Sequence, residues 1–519
     1  MMNDVNIKWF DVREEPVEGI CLGCQTKGPM KLVCEVTNLF SPDSHWRFAR
    51  CGHCSSLTVI KGELFDYTDS ELSPEFWRHY MHIGAGIDFM ARPIQRVANG
   101  KAELSLLDVG CGFGYTLDFF RHVLGKKIAG VEPSAYGRMG RDMLGLPIEI
   151  CYLSQSQVLK GSLFDIVFSS EVIEHVPEPG VFVKELSEYL NPDGVLILTT
   201  PNASYVAPSN APAMVAAALS PGLHKVLFSN QALSALLQIK GFSHVQIEEQ
   251  EERLVAFASR SKITLGSVGK FTHEQYVSYL LSRAGEPTIH SDIEIGFRYR
   301  AFKELVNLGR VAEARTQGAA LVNVIKKTFG LDPFDETAIE NSVLSVVSFE
   351  EYASKAPYCL GPFLFYEAMR RRVAGEDVAG AARTFAFATK VLAHAIEVAP
   401  IYAQVAASLL WRSIMEEGCA LVAAGDHARA RQVFANILDP THHKMTALQI
   451  SLLSKDIVDR TRIEDSLAAA SMEGRSQLRE IVKQSKAQPA TSMRLLLRRY
   501  LPNKAWNMLR YVYQRWRGW

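Results

Sequence analysis

The chain has 519 residues, 48% of them apolar and 22% charged, which suits about three soluble domains with cores of ordinary size. Its 56 basic and 56 acidic side chains cancel, but seven basic ones lie in 491–519, and the remaining 49 against 56 acidic argue against a broad nucleic-acid-binding face on the body. No run approaches the roughly 18 consecutive apolar residues of a membrane-spanning helix, and residues 1–5 lack the basic-then-apolar pattern of a secretory signal, so a cytoplasmic location is expected.

In chain order, residues 1–62 come first, marked by Cys21-x-x-Cys24 and Cys51-x-x-Cys54 and by short β-like runs at 30–36 and 47–49. Without an export signal, such pairs favour reduced thiolates around a metal over disulfides. Two such turns with 26 residues between them, joined by short strands, predict a structural zinc ribbon with Cys21, Cys24, Cys51 and Cys54 as ligands. Cys34 and His53 are alternate ligands, and unliganded buried cysteines are the plainer reading. Residues 63–100 read as a helical connector rich in aromatics, among them Phe76, Trp77, Tyr80 and Phe89.

From 101 to 262 strand and helix patterns alternate. Apolar strand runs lie at 104–109, 128–131, 164–169 and 195–199, with helix patterns such as 115–124 and 181–190 between them. Alternation of this kind predicts parallel strands with crossover helices, a doubly wound Rossmann-like α/β sheet. Two later runs, 245–248 and 254–259, suit a hairpin at the sheet's edge.

Residues 270–480 turn nearly all helical. Segments around Gly309 and Gly425 look alike, with a weaker match at Gly375, and each reads as helix, glycine turn, helix. The spacings of 66 and 50 residues are no fixed period, but the region resembles a degenerate tetratricopeptide-like array, which implies a surface for protein partners. The last segment, 491–519, holds seven Lys/Arg and no Asp/Glu. There Trp506, Leu509, Tyr513 and Trp516 share one helical face with Arg510, Arg515 and Arg517 around it, a pattern suited to peripheral contact with the inner face of a membrane. A helix docked on the array, or on a partner, fits it too.

The chemistry starts at Asp108-Val-Gly110-Cys111-Gly112-Phe-Gly114, after a buried strand and before a helix. Glycines allow a sharp turn and a close approach to a ligand, and the helix start offers free N–H groups. Glu132, 22 residues past Gly110 at the next strand's end, is placed to accept hydrogen bonds from both ribose hydroxyls. These marks fit a nicotinamide cofactor equally well. The further series Asp165-Ile-Val-Phe-Ser-Ser170-Glu171-Val-Ile-Glu174-His175 and 190–202 closely resembles class I methyltransferases of the ubiquinone-biosynthesis O-methyltransferase type. That resemblance implies a seven-stranded sheet with an antiparallel seventh strand and S-adenosylmethionine as methyl donor. It implies that Asp108, Gly110, Cys111, Gly112 and Gly114 face the methionine end, Glu132 the ribose, and Ser170 and Glu171 the sulfonium. The acidic adenine contact common in such families has no counterpart in 151–157, where Leu153 and Ser154 stand in.

His175, just past a strand at the carboxyl edge, has a pKa suited to a catalytic base, though it could equally cap the following turn. Glu171-x-x-Glu174-His175, with His224 further on, also resembles the metal site of small-RNA 3′-terminal 2′-O-methyltransferases, which implies a divalent cation on an acceptor diol. A ribbon ahead of this domain resembles sugar C- and O-methyltransferases and makes His79, Tyr80 and His82 acceptor-pocket candidates, with interdomain packing as their alternative role. The sequence therefore predicts methyl transfer to a sugar or other small polar acceptor, with Glu174, His175 and His224 catalytic. Metal-dependent RNA ribose methylation and a non-catalytic scaffold are the rival readings.

Overall fold

Short β-branched and aromatic runs build a first sheet from β1 (Ile7–Trp9), β2 (Val17–Ile20), β3 (Lys27–Thr37), β4 (His45–Cys51) and β5 (Leu57–Lys61). The computed structural model describes residues 7–438 except 12–15, 38–44, 63–73, 85–86, 102, 126, 211, 251, 268–269 and 400–403. Helix α1 (Pro74–His79), a π-helical turn at Tyr80–Gly84 and α2 (Ile87–Ala98) follow as the connector.

The second sheet begins with β6 (Ser105–Val109), whose five residues are all buried, as a strand covered on both faces must be. Then come α3 (Tyr115–Val123), β7 (Lys127–Val131), α4 (Ala135–Leu144), β8 (Ile148–Glu149), β9 (Phe164–Ser170), α5 (Pro179–Glu188) and β10 (Leu190–Pro201). Helix α6 (Pro212–Leu219), β11 (Val226–Leu227), α7 (Asn230–Ile239), β12 (His244–Gln250) and β13 (Arg253–Ser259) complete it. The strand order is β12-β13-β10-β9-β6-β7-β8, seven strands. Strands β6 to β10 run parallel, and β13 slots antiparallel between β10 and β12, as the resemblance implied. The expected runs appear with edges moved by a residue or two, except that β10 starts at Leu190 and the two-residue β8 carried no sequence signal. Nor did β11, which leaves this sheet's order and pairs with β5 of the first.

The sheet has a core on each face. One holds Phe113, Phe119, Phe168 and Phe257. The other holds Val183, Leu186, Leu233 and Leu237 and runs on into Met30, Cys21, Cys51 and Cys54 of the first sheet. Helices α8 (Lys270–Ala284), α9 (Ser291–Asn307), α10 (Val311–Phe329), α11 (Glu336–Ser342) and α12 (Phe349–Lys355) follow. Tyr279 and Phe297 from α8 and α9 enter the first core. Buried Asp118 of α3 accepts from Arg283 Nε (2.8 Å), Tyr279 Oη (2.8 Å) and Arg121 Nη2 (3.0 Å). Apart from 208–211, the described chain up to Leu360 falls in one compact unit, so the break in the helical region falls near 360, well past 270.

A second compact unit contains Gly361–Ile396 and the described residues 404–438. Its helices are α13 (Leu360–Val373), α14 (Val378–Val398), α15 (Gln404–Ala423) and α16 (His427–Leu438). Gly309, Gly375 and Gly425 each stand in the turn between consecutive helices, α9 and α10, α13 and α14, α15 and α16. The expected helices at 439–480 and the tail 491–519 lie outside the described residues. No helix among the described residues is long and apolar enough to cross a membrane.

Candidate functional site

Strand β6 delivers Asp108 to the carboxyl edge of the sheet, and the glycine loop turns from there into α3. Gly110 N and Cys111 N donate to Val131 O at 2.9 and 3.2 Å, which pins the loop to the end of β7. Gly112 sits at φ +51°, and a side chain there would meet Tyr80 Oη at 3.1 Å. Gly140 of α4 lies directly against the carbonyl of Phe113, so that helix can approach the loop only without a Cβ. Glu132 closes the arrangement: Oε2 accepts from Gly112 N (3.0 Å) and Oε1 from Ser134 N (2.9 Å). Burial first, and the Glu132 carboxylate second, push the Asp108 acid well above the usual carboxylate range. Together these residues form a small, backbone-lined cradle with two acids at its rim.

The connector candidates separate. Tyr80 packs beside the glycine loop: its ring stacks on Tyr115 at 6.1 Å and stands 5.1 Å from Tyr136. His82 is fully buried, with Nε2 2.9 Å from Asp292 Oδ1 and Nδ1 3.4 Å from Tyr358 N. His79 packs edge-on to Tyr358 at 5.2 Å. Both histidines therefore serve packing against the helices. Leu153 is buried and Ser154 exposed on a short 3₁₀ turn. An acid outside 151–157, Glu149 at the end of β8, accepts from Ser156 Oγ at 2.8 Å. A two-residue strand was too short to announce it.

Beyond β9 the acceptor side gathers. Glu171 holds φ +56°, a left-handed conformation that only a few per cent of non-glycine residues adopt. Its Oε1 accepts from Thr199 Oγ1 (2.8 Å) and Arg253 Nε (3.0 Å), and the Arg253 guanidinium lies over the Phe89 ring at 3.9 Å. Ser170 Oγ lies 2.7 Å from Thr199 Oγ1. Sequence reading missed Arg253 and Thr199, which reach the site because β10 ends beside β9 and β13 starts beside the end of β10.

The structure brings Glu174, His175 and His224 together, with one ligand atom from each within 4.8 Å of the others. Glu174 is fully buried; Oε2 accepts from Thr200 Oγ1 at 3.0 Å, and Oε1 has no hydrogen-bond partner. That Oε1 lies 3.9 Å from Nε2 of both histidines. His224 Nδ1 is 2.8 Å from Ala218 O, so it donates there and leaves Nε2 with its lone pair toward Glu174. Burial lowers both imidazoles, His175 to about 3 with help from His224, and His224 to about 4. Burial, then the Glu171 carboxylate, raises Glu174. An unsatisfied buried carboxylate oxygen facing two neutral imidazoles suits either a proton in transit or a divalent cation.

The four predicted cysteines also converge. Cys21 and Cys54 Sγ are 3.6 Å apart, Cys24 and Cys51 Sγ 3.8 Å, and all four lie within 4.8 Å of one another. Tetrahedral zinc at about 2.3 Å from each sulfur requires edges of about 3.8 Å, so the cluster fits that ion. The short Cys21–Cys54 contact lowers the Cys54 thiol and raises the Cys21 thiol. The alternates drop out: Cys34 belongs to a separate core with Trp46 and Phe48, and His53 is exposed.

A family model described as a methyltransferase domain matches residues 77–247. A ubiquinone biosynthesis O-methyltransferase of Bradyrhizobium diazoefficiens is 33% identical over 173 residues, 29% of this chain and 68% of that protein. One from Rhodopseudomonas palustris is 32% identical over 125 residues, 23% of this chain and 49% of its own length. The chain thus spans about half to two-thirds of these curated relatives. A solved SAM-dependent methyltransferase from Aquifex aeolicus is 18% identical with a TM-score of 0.28, covering 36% of this chain and 98% of that one. Taken with the sheet order and the cradle at the end of β6, the match to a relative one-third identical over two-thirds of its length means that the chain belongs to the class I S-adenosylmethionine-dependent methyltransferases.

Proposed function

We propose that this chain transfers the methyl group of S-adenosylmethionine to a hydroxyl of a small polar acceptor, a sugar or glycan residue foremost. The donor brings a carbon already activated by a positive sulfur, so the protein's work is alignment and removal of one proton. In this reading Asp108, Gly110, Cys111, Gly112 and Gly114 take the methionine end. Glu132 exchanges its bonds to Gly112 and Ser134 for the ribose hydroxyls, and Ser170 and Glu171 flank the sulfonium. His175 takes the acceptor's proton, and Glu174, whose acid is raised by burial and whose Oε1 lies 3.9 Å away, shares it. The observation that carries the proposal is the orphaned Glu174 Oε1 between the imidazoles of His175 and His224.

That same observation favours a second reading, in which Glu174, His175 and His224 would hold a divalent cation whose Lewis acidity activates an acceptor diol, an RNA ribose included. Calorimetric titration with S-adenosylmethionine comes first. Wild type should bind, and Glu132→Ala should lose at least about 10-fold, since charge-assisted bonds to two hydroxyls contribute roughly 1.5–3 kcal/mol each. No binding sinks the enzymatic reading in favour of a scaffold. Labelled-methyl transfer to nucleotide sugars, polysaccharide extracts and RNA, with and without chelator, then selects the acceptor and separates the two mechanisms. The fit of the cysteine cluster supports a structural zinc, expected at about one per chain by elemental analysis. Partner recruitment by the helical region and membrane contact by the tail rest on sequence pattern; co-sedimentation with anionic vesicles tests the tail.

A further inference from the structure

One stretch of chain, residues 224–229, runs between the acid–base cluster and the cysteine cluster, and both grip it. On the catalytic side Lys225 N donates to Glu174 O at 2.8 Å, and Val226 N reaches the same oxygen at 3.4 Å. On the cysteine side Val226 and Leu227 pair antiparallel with Thr58 and Leu57, and Val59 N donates to Lys225 O at 3.0 Å. Two residues further on, Ser229 N donates to Ser56 Oγ (3.0 Å) and Ser229 Oγ to Cys54 O (2.5 Å).

The residues that do the gripping are themselves set by the cysteines. Thr58 Oγ1 donates to Cys21 Sγ at 3.8 Å and accepts from Leu22 N at 3.2 Å. Cys51 N donates to Ser56 O at 2.9 Å, which folds the second knuckle back on itself. Ser56 and Thr58 are both buried. Cys21, Cys51 and Cys54 share one core with Val226, Phe228 and Leu233. A two-residue strand cannot hold its own place by ladder bonds alone, so β11 stands where the knuckles put it.

We infer that the cysteine module is a positioning device for His224: Ser56, Thr58 and β5 fix where the imidazole stands against Glu174. Metal bonds hold the two knuckles; without them the Cys51–Ser56 turn relaxes, β11 loses its outer partner, and His224 moves relative to Glu174. This rests on the proposed role of the Glu174, His175 and His224 cluster. The module would then act on acceptor activation and leave the donor cradle, on the far side of β9, untouched.

The test is ring-carbon NMR of the histidine-labelled full chain, with His175 and His224 signals assigned from His175→Asn and His224→Asn. Zinc is stripped with a chelator in one arm; in the other, Ser56→Ala removes the hydroxyl that Ser229 N uses while all four cysteines stay. In both arms the His224 and His175 signals should shift beyond the linewidth, while His122 on α3 and the S-adenosylmethionine affinity do not change. Unmoved His224 and His175 signals overturn the inference, as does a shift of all histidines together, which marks general loosening. Donor binding reports on the proposed function independently, so a chain that fails to bind S-adenosylmethionine yet shows the coupled shifts sinks only that function.

Discussion

Glu171 holds a left-handed backbone, and Arg253 and Thr199 hold its carboxylate. Removing the guanidinium by Arg253→Met leaves a carboxylate with φ +56° held by Thr199 alone. Methyl transfer should then fall at least 10-fold, since one charge-assisted bond contributes about 1.5–3 kcal/mol, while donor affinity changes little. A comparable loss of donor affinity would assign Arg253 to the cradle. The imidazoles give a pH dependence with a definite sign. His175 and His224 fall to about 3 and 4 in the fold, below the usual value near 6.5. As pH falls through 6.5 the unfolded chain binds two protons that the native chain refuses, so stability drops progressively until about pH 4. Raised Glu174 acts oppositely: its native form keeps a proton that the unfolded chain releases, so stability falls as pH rises from about 4.3. Urea midpoints with chelator present should therefore decline from pH 7 to 5, and His224→Asn should flatten that slope. Much of this was legible: the spacings from Asp108 to Glu132 and from Glu171 to His175 depend on one strand end each. Arg253 was not, because 82 residues separate it from Glu171 and only the β13 insertion closes the gap.

At the scale of elements, α3 is anchored through Asp118 to α8. Asp118→Ala leaves the nearly buried Arg283 guanidinium facing only Glu286, and the buried Tyr279 hydroxyl without its acceptor. The loss of stability should be about 3–5 kcal/mol by chemical denaturation, the usual cost of breaking a buried pair from one side. Less than about 1 kcal/mol would mean that α8 can leave without consequence. Gly140→Ala tests the contact between α4 and the loop: with the Phe113 carbonyl in the way, the cradle must open, and donor affinity should fall before stability does. Sequence pattern found every long element, since periodicity needs length to show. It missed β8 and β11, two residues each, and it read α8 and α9 as part of a separate helical body. An amphipathic stripe says that a helix has a core to join and does not say which one.

At the scale of the molecule, the methyltransferase sheet and the helices to Leu360 stand or fall together. A fragment ending at 262 uncovers Phe119 and Tyr115 and strips Asp118 of its α8 partners, so it should be insoluble or melt well below one ending at 360. Equal melting of the two fragments, followed by circular dichroism, would contradict that division. Strand β11 also carries a consequence in time. Its partner β5 ends at Lys61, and the chain must grow another 166 residues, from 61 to 227, before the first sheet can finish. At roughly 5–20 residues per second on the ribosome that is a wait of about 8–33 s. Through that interval the four thiols are already synthesised while the strand that will brace them is not; on the proposed zinc reading, metal capture by the two knuckles would precede sheet completion.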